Sequence, residues 1–386
     1  MKTDLFVAVS HSLELDSLLA VHEIIEDCER QFDGRIPNAG ILYASIDVEF
    51  QLVLDKLYEK WPDIKLIGCT SDAEFSTEGY YCEDSLMLTL FSSNDVKFFS
   101  GYIDNYAEDI NSECDNAILE AKSFFGEEPK LGFLFSEVIN INGETILQHM
   151  SLVSKGRIPI VGGIAADNWD FVESKQFCNR LVSSDISPYL FLSGEFDYSY
   201  GIDSGWDPVG EFGIVTKSSG NILFEIDNKP ALEFYKNIFG ENAEPSLELP
   251  IAIYNIEDEL LYLRTSFEKH NEDGAITYLG NVPVGSKVKI TMVDRNSILE
   301  GVNNSVNNAV KNFPTDRKPL IAMCFSCTAR RILLGTRTIE EFRNVKSKLD
   351  VDTKIAGYYS YGEFCPDSFE NLNKFHNETF VTVLLG

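Results

Sequence analysis

Two adjacent arginines, Arg330 and Arg331, follow an apolar run and a short Ser-Cys-Thr-Ala turn, in a chain whose acidic residues far outnumber its basic ones. A guanidinium at such a place can hold a carboxylate or phosphate through two parallel hydrogen bonds. It can equally neutralise an acidic neighbour, with Glu340 and Glu341 at hand. Paired with Glu363, Arg330 would suit a zwitterion, the guanidinium meeting a carboxylate and the carboxylate meeting an ammonium. Glu363 has a counterpart in Glu74, each three residues after a serine, Ser360 and Ser71. Brought together, the two carboxyls would suit a cation or acid/base work; singly, each would cap a helix or lie exposed. Tyr358, Tyr359 and Tyr361 cannot all point one way from a strand, and Tyr361 is placed to reach a ligand with its hydroxyl. His376-Asn377-Glu378-Thr379 stands where the chain enters its last apolar run. Such residues pin a loop, or supply a ligand contact from His376 or Asn377.

Cys324-Phe-Ser-Cys327 invites redox and zinc readings. A zinc half-site lacks a second pair of ligands, and a redox pair would want a helix start after its first cysteine. Strand alternation puts the two thiols on opposite faces, so Cys324 is expected in the core and Cys327 at a cleft. An enzyme reading would make Cys327 the nucleophile, His376 its base and the arginines an electrophilic clamp. The chain contains no Gly-x-Ser-x-Gly, Walker A, His-Glu-x-x-His or Gly-x-Gly-x-x-Gly motif. Nor does it contain Cys-x-x-Cys-His, which excludes covalent c-type haem. Non-covalent haem would draw its axial ligand from His11, His22, His149, His270 or His376.

The elements that must position these residues recur three times as strand, helix, strand. The first copy runs from NAGILYAS to IKLIGCTSDAEF, the second from PKLGFLFSEV to IPIVGGIAADNW, the third from KPLIAMCFSC to TKIAGYYSYGEF. Each joins a β-branched and aromatic run to an amphipathic stretch and a second run bearing glycine. Residues 65–75 align without gaps to residues 354–364, five of the eleven positions being identical. The glycines, Gly68, Gly162 or Gly163, and Gly357, would sit where the backbone turns or approaches something closely. Open α/β sheets bind ligands at such strand ends. Segment 212–226 reads as a hairpin around a turn at 217–221, and further strands follow at 275–278 and 287–293. The expected fold class is α/β, with duplicated β-α-β units forming mixed sheets in two pseudo-related halves and additional antiparallel hairpins. The boundary is placed near residue 226, giving halves 1–225 and 226–386.

The 386 residues carry 32 Lys and Arg against 61 Asp and Glu, a net charge of −29. That field opposes nucleic acid and anionic membrane surfaces as partners. The N-terminus lacks signal-peptide features, and no apolar run approaches the ~20 residues of a membrane span. A cytoplasmic protein with eight reduced cysteines is expected.

Gly68-Cys-Thr70-Ser71, Gly162-Gly163-x-Ala-x-Asp167, Phe325-Ser-Cys327-x-x-Arg330-Arg331-x-x-Leu-Gly335, Gly357-x-Tyr-x-Tyr361-Gly362-Glu363 and Phe375-His376-Asn377-Glu378-Thr379 together resemble the FIST proteins. The likeness covers almost the whole chain. It departs from the family at Ser71-Asp72-Ala73-Glu74, where an Ala-Gly pair is commoner. The resemblance implies a sensory domain that binds a small ligand, proposed to be an amino acid, and signals to a kinase or cyclase. A subset of FIST-like proteins is described as haem-dependent nitric oxide sensors, so haem is the alternative to a cofactor-free protein. The two halves use up this chain, which places the output in a separate protein such as a histidine kinase or diguanylate cyclase. The ligand-binding residues expected on these grounds are Thr70, Ser71, Asp167, Cys327, Arg330, Arg331, Tyr361, Glu363, His376 and Asn377.

Overall fold

The computed structural model describes residues 4–137, 143–266, 273–367 and 372–386. His270, one of the haem candidates, lies outside the described residues. The recurring sequence unit is a structural one. Unit 1 comprises β1 (Phe6–Ser12), α1 (Ser17–Phe32), β2 (Ala39–Ala44), α2 (Phe50–Lys60), β3 (Lys65–Thr70), β4 (Glu74–Ser76), β5 (Tyr80–Cys82) and β6 (Leu86–Ser92). Unit 2 repeats the order with β7 (Val96–Asp104), α3 (Ile110–Phe125), β8 (Leu131–Ser136), α4 (Gly143–Val153), β9 (Ile160–Ile164), β10 (Gln176–Cys178), β11 (Leu181–Ser183) and β12 (Ile186–Gly194).

Unit 3 opens with β13 (Tyr198–Asp203) and is then interrupted by an insert. The insert holds β14 (Asp207–Ser219), β15 (Ile222–Ile226), β16 (Lys229–Pro230), α5 (Ala231–Phe239), β17 (Ile251–Tyr254), β18 (Leu260–Arg264), β19 (Ile276–Thr277) and β20 (Lys287–Met292). Unit 3 resumes with α6 (Arg295–Asn312), β21 (Ile321–Cys327), α7 (Thr328–Leu334), α8 (Ile339–Lys348), β22 (Lys354–Ser360), β23 (Glu363–Pro366), β24 (Asn373–His376) and β25 (Phe380–Leu385).

Local chemistry sets these boundaries. The Asp16 carboxylate accepts the N–H groups of Leu18 and Leu19 to start α1, and Asp294 does the same for Asn296 and Ser297 at α6. Gly126, in the left-handed region, ends α3. The apolar stripe of α1, including Val21, Ile24, Cys28 and Phe32, is turned inward.

Three six-stranded mixed sheets result, in the orders β1-β6-β2-β3-β10-β11, β7-β12-β8-β9-β23-β24 and β13-β25-β21-β22-β4-β5. In each, one central pair is parallel (β2 with β3, β8 with β9, β21 with β22) and the other pairings are antiparallel. The short hairpins change sheets cyclically. The unit 1 hairpin β4–β5 completes the sheet of unit 3, that of unit 2 completes the sheet of unit 1, and that of unit 3 completes the sheet of unit 2. The inner faces of all three sheets share one core, which includes Tyr43, Phe135, Phe325 and Tyr358. Each outer face is covered by its own helices. The structure is thus the expected mixed α/β fold, with the repeat carried by three units and strands from both sides of residue 226 sharing sheets. The expected hairpin at 212–226 is β14–β15, and the insert has a separate core around Leu223, Tyr235, Ile253 and Ile290. Among the described residues, no helix is long and apolar enough to cross a membrane.

The glycines have their reason in close approaches, by an exchanged hairpin at Gly357 and by the neighbouring parallel strand at Gly68 and Gly162. Gly68, Gly162 and Gly357 each lie opposite a hairpin phenylalanine, namely Phe177, Phe364 and Phe75. A Cβ on Gly357 would fall 2.3 Å from the Phe75 ring, and one on Gly162 would fall 2.1 Å from the Leu134 carbonyl oxygen. Of the two candidates in the second unit, Gly162 is therefore the equivalent position. Gly357→Ala is expected to lower unfolding stability by about 1–3 kcal/mol through overpacking. Phe75→Leu in the same chain should relieve part of that loss, giving a less-than-additive double-mutant cycle in urea unfolding.

Candidate functional site

The parallel strands end in a polar layer that repeats between units 1 and 3. Ser360 Oγ donates to Glu363 Oε1 at 2.8 Å, and Thr379 donates to Glu363 Oε2 from its hydroxyl at 2.6 Å and its N–H at 3.2 Å. Glu74 is held likewise by the hydroxyls of Ser71 and Ser85. His11 bonds Ser85 at 2.8 Å and Ser76 at 3.1 Å, so both its ring nitrogens are engaged. Both glutamates are fully buried, and burial pushes each carboxyl up to about 8 against the pull of its hydroxyl partners. They lie in strands rather than at helix starts. They share no hydrogen-bond partner: Glu74 is held by Ser71 and Ser85, Glu363 by Ser360 and Thr379. The expected paired acidic feature is therefore replaced by two equivalent single sites. In unit 2 the corresponding register position holds Gln176, bonded to Ser174.

The arginines part company. Arg330 is fully buried, with Nε on Glu341 Oε1 at 2.9 Å, one terminal nitrogen on the carbonyls of Ser204 and Glu378, and the other on the Ile298 carbonyl at 2.7 Å. Glu341 in turn accepts from Ser326 at 3.0 Å and from Tyr359 at 2.7 Å. The expected Arg330–Glu363 zwitterion clamp is corrected accordingly: Arg330 pairs with Glu341 in the interior, because a buried guanidinium needs a carboxylate and several carbonyls to offset its desolvation. Arg331 keeps 17% of its side chain exposed and reaches Glu83 at 2.7 Å and Asp72 at 3.9 Å. It thus joins unit 3 to the hairpin of unit 1. Asp72, buried, accepts the Asn168 N–H at 2.7 Å and is pushed up to about 6 by desolvation.

Tyr361 and Asp167 are brought together, but on a loop. The Tyr361 hydroxyl donates to Asp167 Oδ1 at 2.6 Å and accepts from Trp169 N–H at 2.6 Å, while its ring stacks 4.4 Å from Phe171. Asp167 also collects the N–H groups of Phe171, Val172 and Glu173. Thr70 Oγ1 accepts Lys175 N–H at 3.1 Å, which secures the end of the same loop. Cys327 is buried; desolvation, then Glu363 and Glu378, push its thiol up, and its N–H bonds the Thr379 carbonyl at 3.1 Å. Cys324 packs in the opposite, outer core, as alternation requires. His376 Nε2 lies 3.1 Å from the Cys365 carbonyl, and burial depresses its pKa to about 3. A neutral ring donating Nε2–H leaves Nδ1 as an acceptor. No hydrogen bond joins His376 to Cys327 among the described residues. Asn377 is fully buried beside it. Of the other histidines, His22 is exposed and His149 pairs with Asp115.

A cleft of about 280 Å³ opens between the insert and unit 3. Its walls are Leu261 and Tyr262 of β18 and Ile202–Ser204 at the end of β13, with His376 and Thr379 on the third side. Two carboxyls line it, Asp203, which is raised by desolvation, and Asp367. Of the expected site residues only His376 lines this cleft. Asp203 and Tyr262 were missed; the one sequence signal for them is the interruption of the third repeat immediately after β13. Arg264 was missed as well. It is fully buried, pairs with Glu144 of α4 at 2.9 Å, and bonds the carbonyls of Asn281 and Phe375. It fastens the insert to unit 2.

Arg330→Ala leaves Glu341 buried without its cation and is expected to cost about 3–5 kcal/mol in urea unfolding. Lysine, which lacks the planar fork, should not restore it. Arg331→Ala should cost roughly 1 kcal/mol or less, since that pair is partly solvated. A pH dependence follows from the buried carboxyls. Folded Glu74, Glu363 and Glu378 hold their protons up to about 8, whereas an ordinary glutamate releases its proton near 4.5. The folded chain binds more protons between those values, so the stability these groups supply is complete below 4.5 and is lost as pH rises through about 8. His11 and His376, depressed to about 4 and about 3, act in the opposite sense but only below 6.5. Between pH 6.5 and 8 the urea midpoint should therefore fall as pH rises, and Glu74→Gln with Glu363→Gln should flatten that fall. A midpoint that rises over this interval would falsify the assignment.

Residues 38–229 match the FIST N domain and residues 231–366 the FIST C domain. An uncharacterized protein of Methanocaldococcus jannaschii is 26% identical over 369 residues, which cover 86% of this chain and 69% of that protein. Among solved structures, PurLQS from Thermotoga maritima aligns with 99% of this chain and 72% of its own at 11% identity, with a TM-score of 0.25. The two adjoining domain matches take in the exchanged hairpins β4–β5 and β10–β11, the insert and the buried arginines, and the chain belongs to the FIST family.

Proposed function

We propose that this FIST protein senses a small amine-bearing ligand, amino acids first among them, in the cleft between the insert and unit 3. FIST domains are sensory, signal-transduction domains. The observation that carries the reading is that a separately cored insert meets the repeated body at a cleft lined by the carboxyls of Asp203 and Asp367. Ligand pockets occur preferentially at such junctions. Asp203 would take the ammonium, and the neutral His376 ring offers a second acceptor. The nearby guanidiniums of Arg264 and Arg330 are engaged with protein acceptors, so the positive end of the ligand is what the cleft selects. Binding would draw the insert against the body, and a separate protein such as a histidine kinase or diguanylate cyclase would read the shift, which cannot exceed the ligand's differential affinity for the two arrangements. In this reading the halves 1–225 and 226–386 both contribute, Ile202, Asp203 and Ser204 from the first and the other walls from the second.

The same geometry gives little support to the alternatives. His376 is 3% exposed, and a cleft of about 280 Å³ is small for a porphyrin macrocycle. The Cys327 thiol is buried and neutral, the condition of an inert cysteine. A thermal-shift screen of amino acids and simple amines tests the proposal. A ligand at about 100 times its Kd should add about 2.7 kcal/mol, seen as a melting rise of several degrees that Asp203→Asn removes. A Soret band on haem reconstitution that disappears in His376→Ala would overturn it in favour of haem.

A further inference from the structure

The three seams between neighbouring sheets are not closed equally. The edge strand β1 packs against β22 and β4, and β7 packs against β3 and β10. The equivalent strand of unit 3, β13, makes no contact of like extent with β9, β23 or β24 among the described residues. Burial follows the same division. The inward residues Val7 and Val9 of β1, and Val96 and Phe98 of β7, are 0–6% exposed, whereas Tyr198, Tyr200 and Ile202 of β13 are only half-buried against the central core.

An open groove of about 470 Å³ runs along β13, bounded by Asn308 and Lys311 of α6 and by Asp367 beyond β23. It continues into the ligand cleft through Ile202, Asn308 and Asp367. At its floor is a strand edge. Asp197 and Gly386 exchange both backbone hydrogen bonds, at 2.6 and 3.0 Å, which fixes the phase of the β13–β25 ladder. Tyr198 and Ile202 therefore fall at non-bonded positions and turn their N–H and C=O groups away from β25, toward the groove. A β-edge floor flanked by a helix has the form in which proteins take an added strand.

We propose that β13 is a docking edge, and that an extended, lysine- or arginine-bearing segment of a partner protein adds to the third sheet beside it. Charge decides the occupant. Two carboxyls, Asp203 and Asp367, stand along the groove and its continuation, with Lys311 on the wall and Lys374 3.9 Å from Asp367, in a chain of net charge −29. A cationic segment is drawn to that field. A second copy of the chain would bring another −29 and a second pair of carboxyls to the same place.

A peptide of alternating lysine and valine serves as the probe, with amide hydrogen exchange read by NMR on the full chain. The peptide is expected to slow exchange at Tyr198 and Ile202 about tenfold or more. Replacing its lysines by glutamates should weaken binding about tenfold, and methylating alternate backbone nitrogens should abolish protection, since strand addition needs those N–H groups. Absence of protection at these two amides, or equal binding by the N-methylated peptide, overturns the proposal. Protection that appears without peptide as the chain dimerises overturns it in favour of a second copy. Because the readout is a backbone edge and not the cleft, its failure is distinguishable from failure of the amine-ligand reading.

Discussion

None of the three six-stranded sheets is complete without a hairpin from another unit. The parallel strands β3, β9 and β22 would each be an open edge inside the molecule, and a buried edge leaves backbone N–H and C=O groups unpaired at a cost of about 1–3 kcal/mol each. The exchange satisfies all three in a cycle, and at position 357 it brings the close approach of Phe75 that glycine permits. The three units consequently stabilise one another: removing any one strips the sheet of a second and exposes the common core. Division of the chain into two sequence domains describes descent along the chain better than it describes independently folding bodies.

Burial of charge follows from the same constraint. Where hairpins cross between sheets, polar residues at strand ends are carried into the interior and must find partners there. Glu74 and Glu363 do so with hydroxyls, joined at Glu363 by the Thr379 N–H, and tend to remain protonated; Arg330 and Arg264 do so with a carboxylate and several carbonyls each. Arg330 ties α7 to α8, to α6 and to the Ser204 carbonyl just before the insert, and Arg264 ties the insert to α4 through Glu144. Their guanidiniums are engaged by the protein's own acceptors.

How much of this was legible in the sequence depends on whether the signal was local. The three units, the glycine positions and the Ser-x-x-Glu pair are local patterns, and the structure shows each. The hydroxyl that completes each carboxyl site is eleven residues away for Glu74 and sixteen for Glu363, so no fixed spacing announces it. The partner of Arg330 was within view as Glu341, yet proximity in sequence could not say whether the pair would be solvated or interior. Tyr361 looked like a ligand contact because a hydroxyl beside a strand end has no obvious use; its use is a loop whose fixed point, Asp167, lies 194 residues away. Asp203 and Tyr262 belong to a seam created by an insertion, and a seam has no sequence signature of its own.

The insertion also explains why function should concentrate in one third of a nearly threefold body. Two of the three seams are closed by sheet packing, so a ligand there would have to displace core residues such as Val9 or Phe98. In the third, the chain leaves after β13 to build a separately cored sheet and returns at α6, which holds β13 partly out of the packing its equivalents enjoy. The insert therefore meets the body through the buried ion pair of Arg264 with Glu144 and an apolar cluster in which Ala252, Tyr254 and Leu263 pack on Ile298, Leu299 and Leu334, with a small cleft beside them. Packed interfaces of this kind have discrete arrangements rather than continuous ones, which is the property a sensory domain needs to convert the occupancy of a small site into a change that another protein can detect.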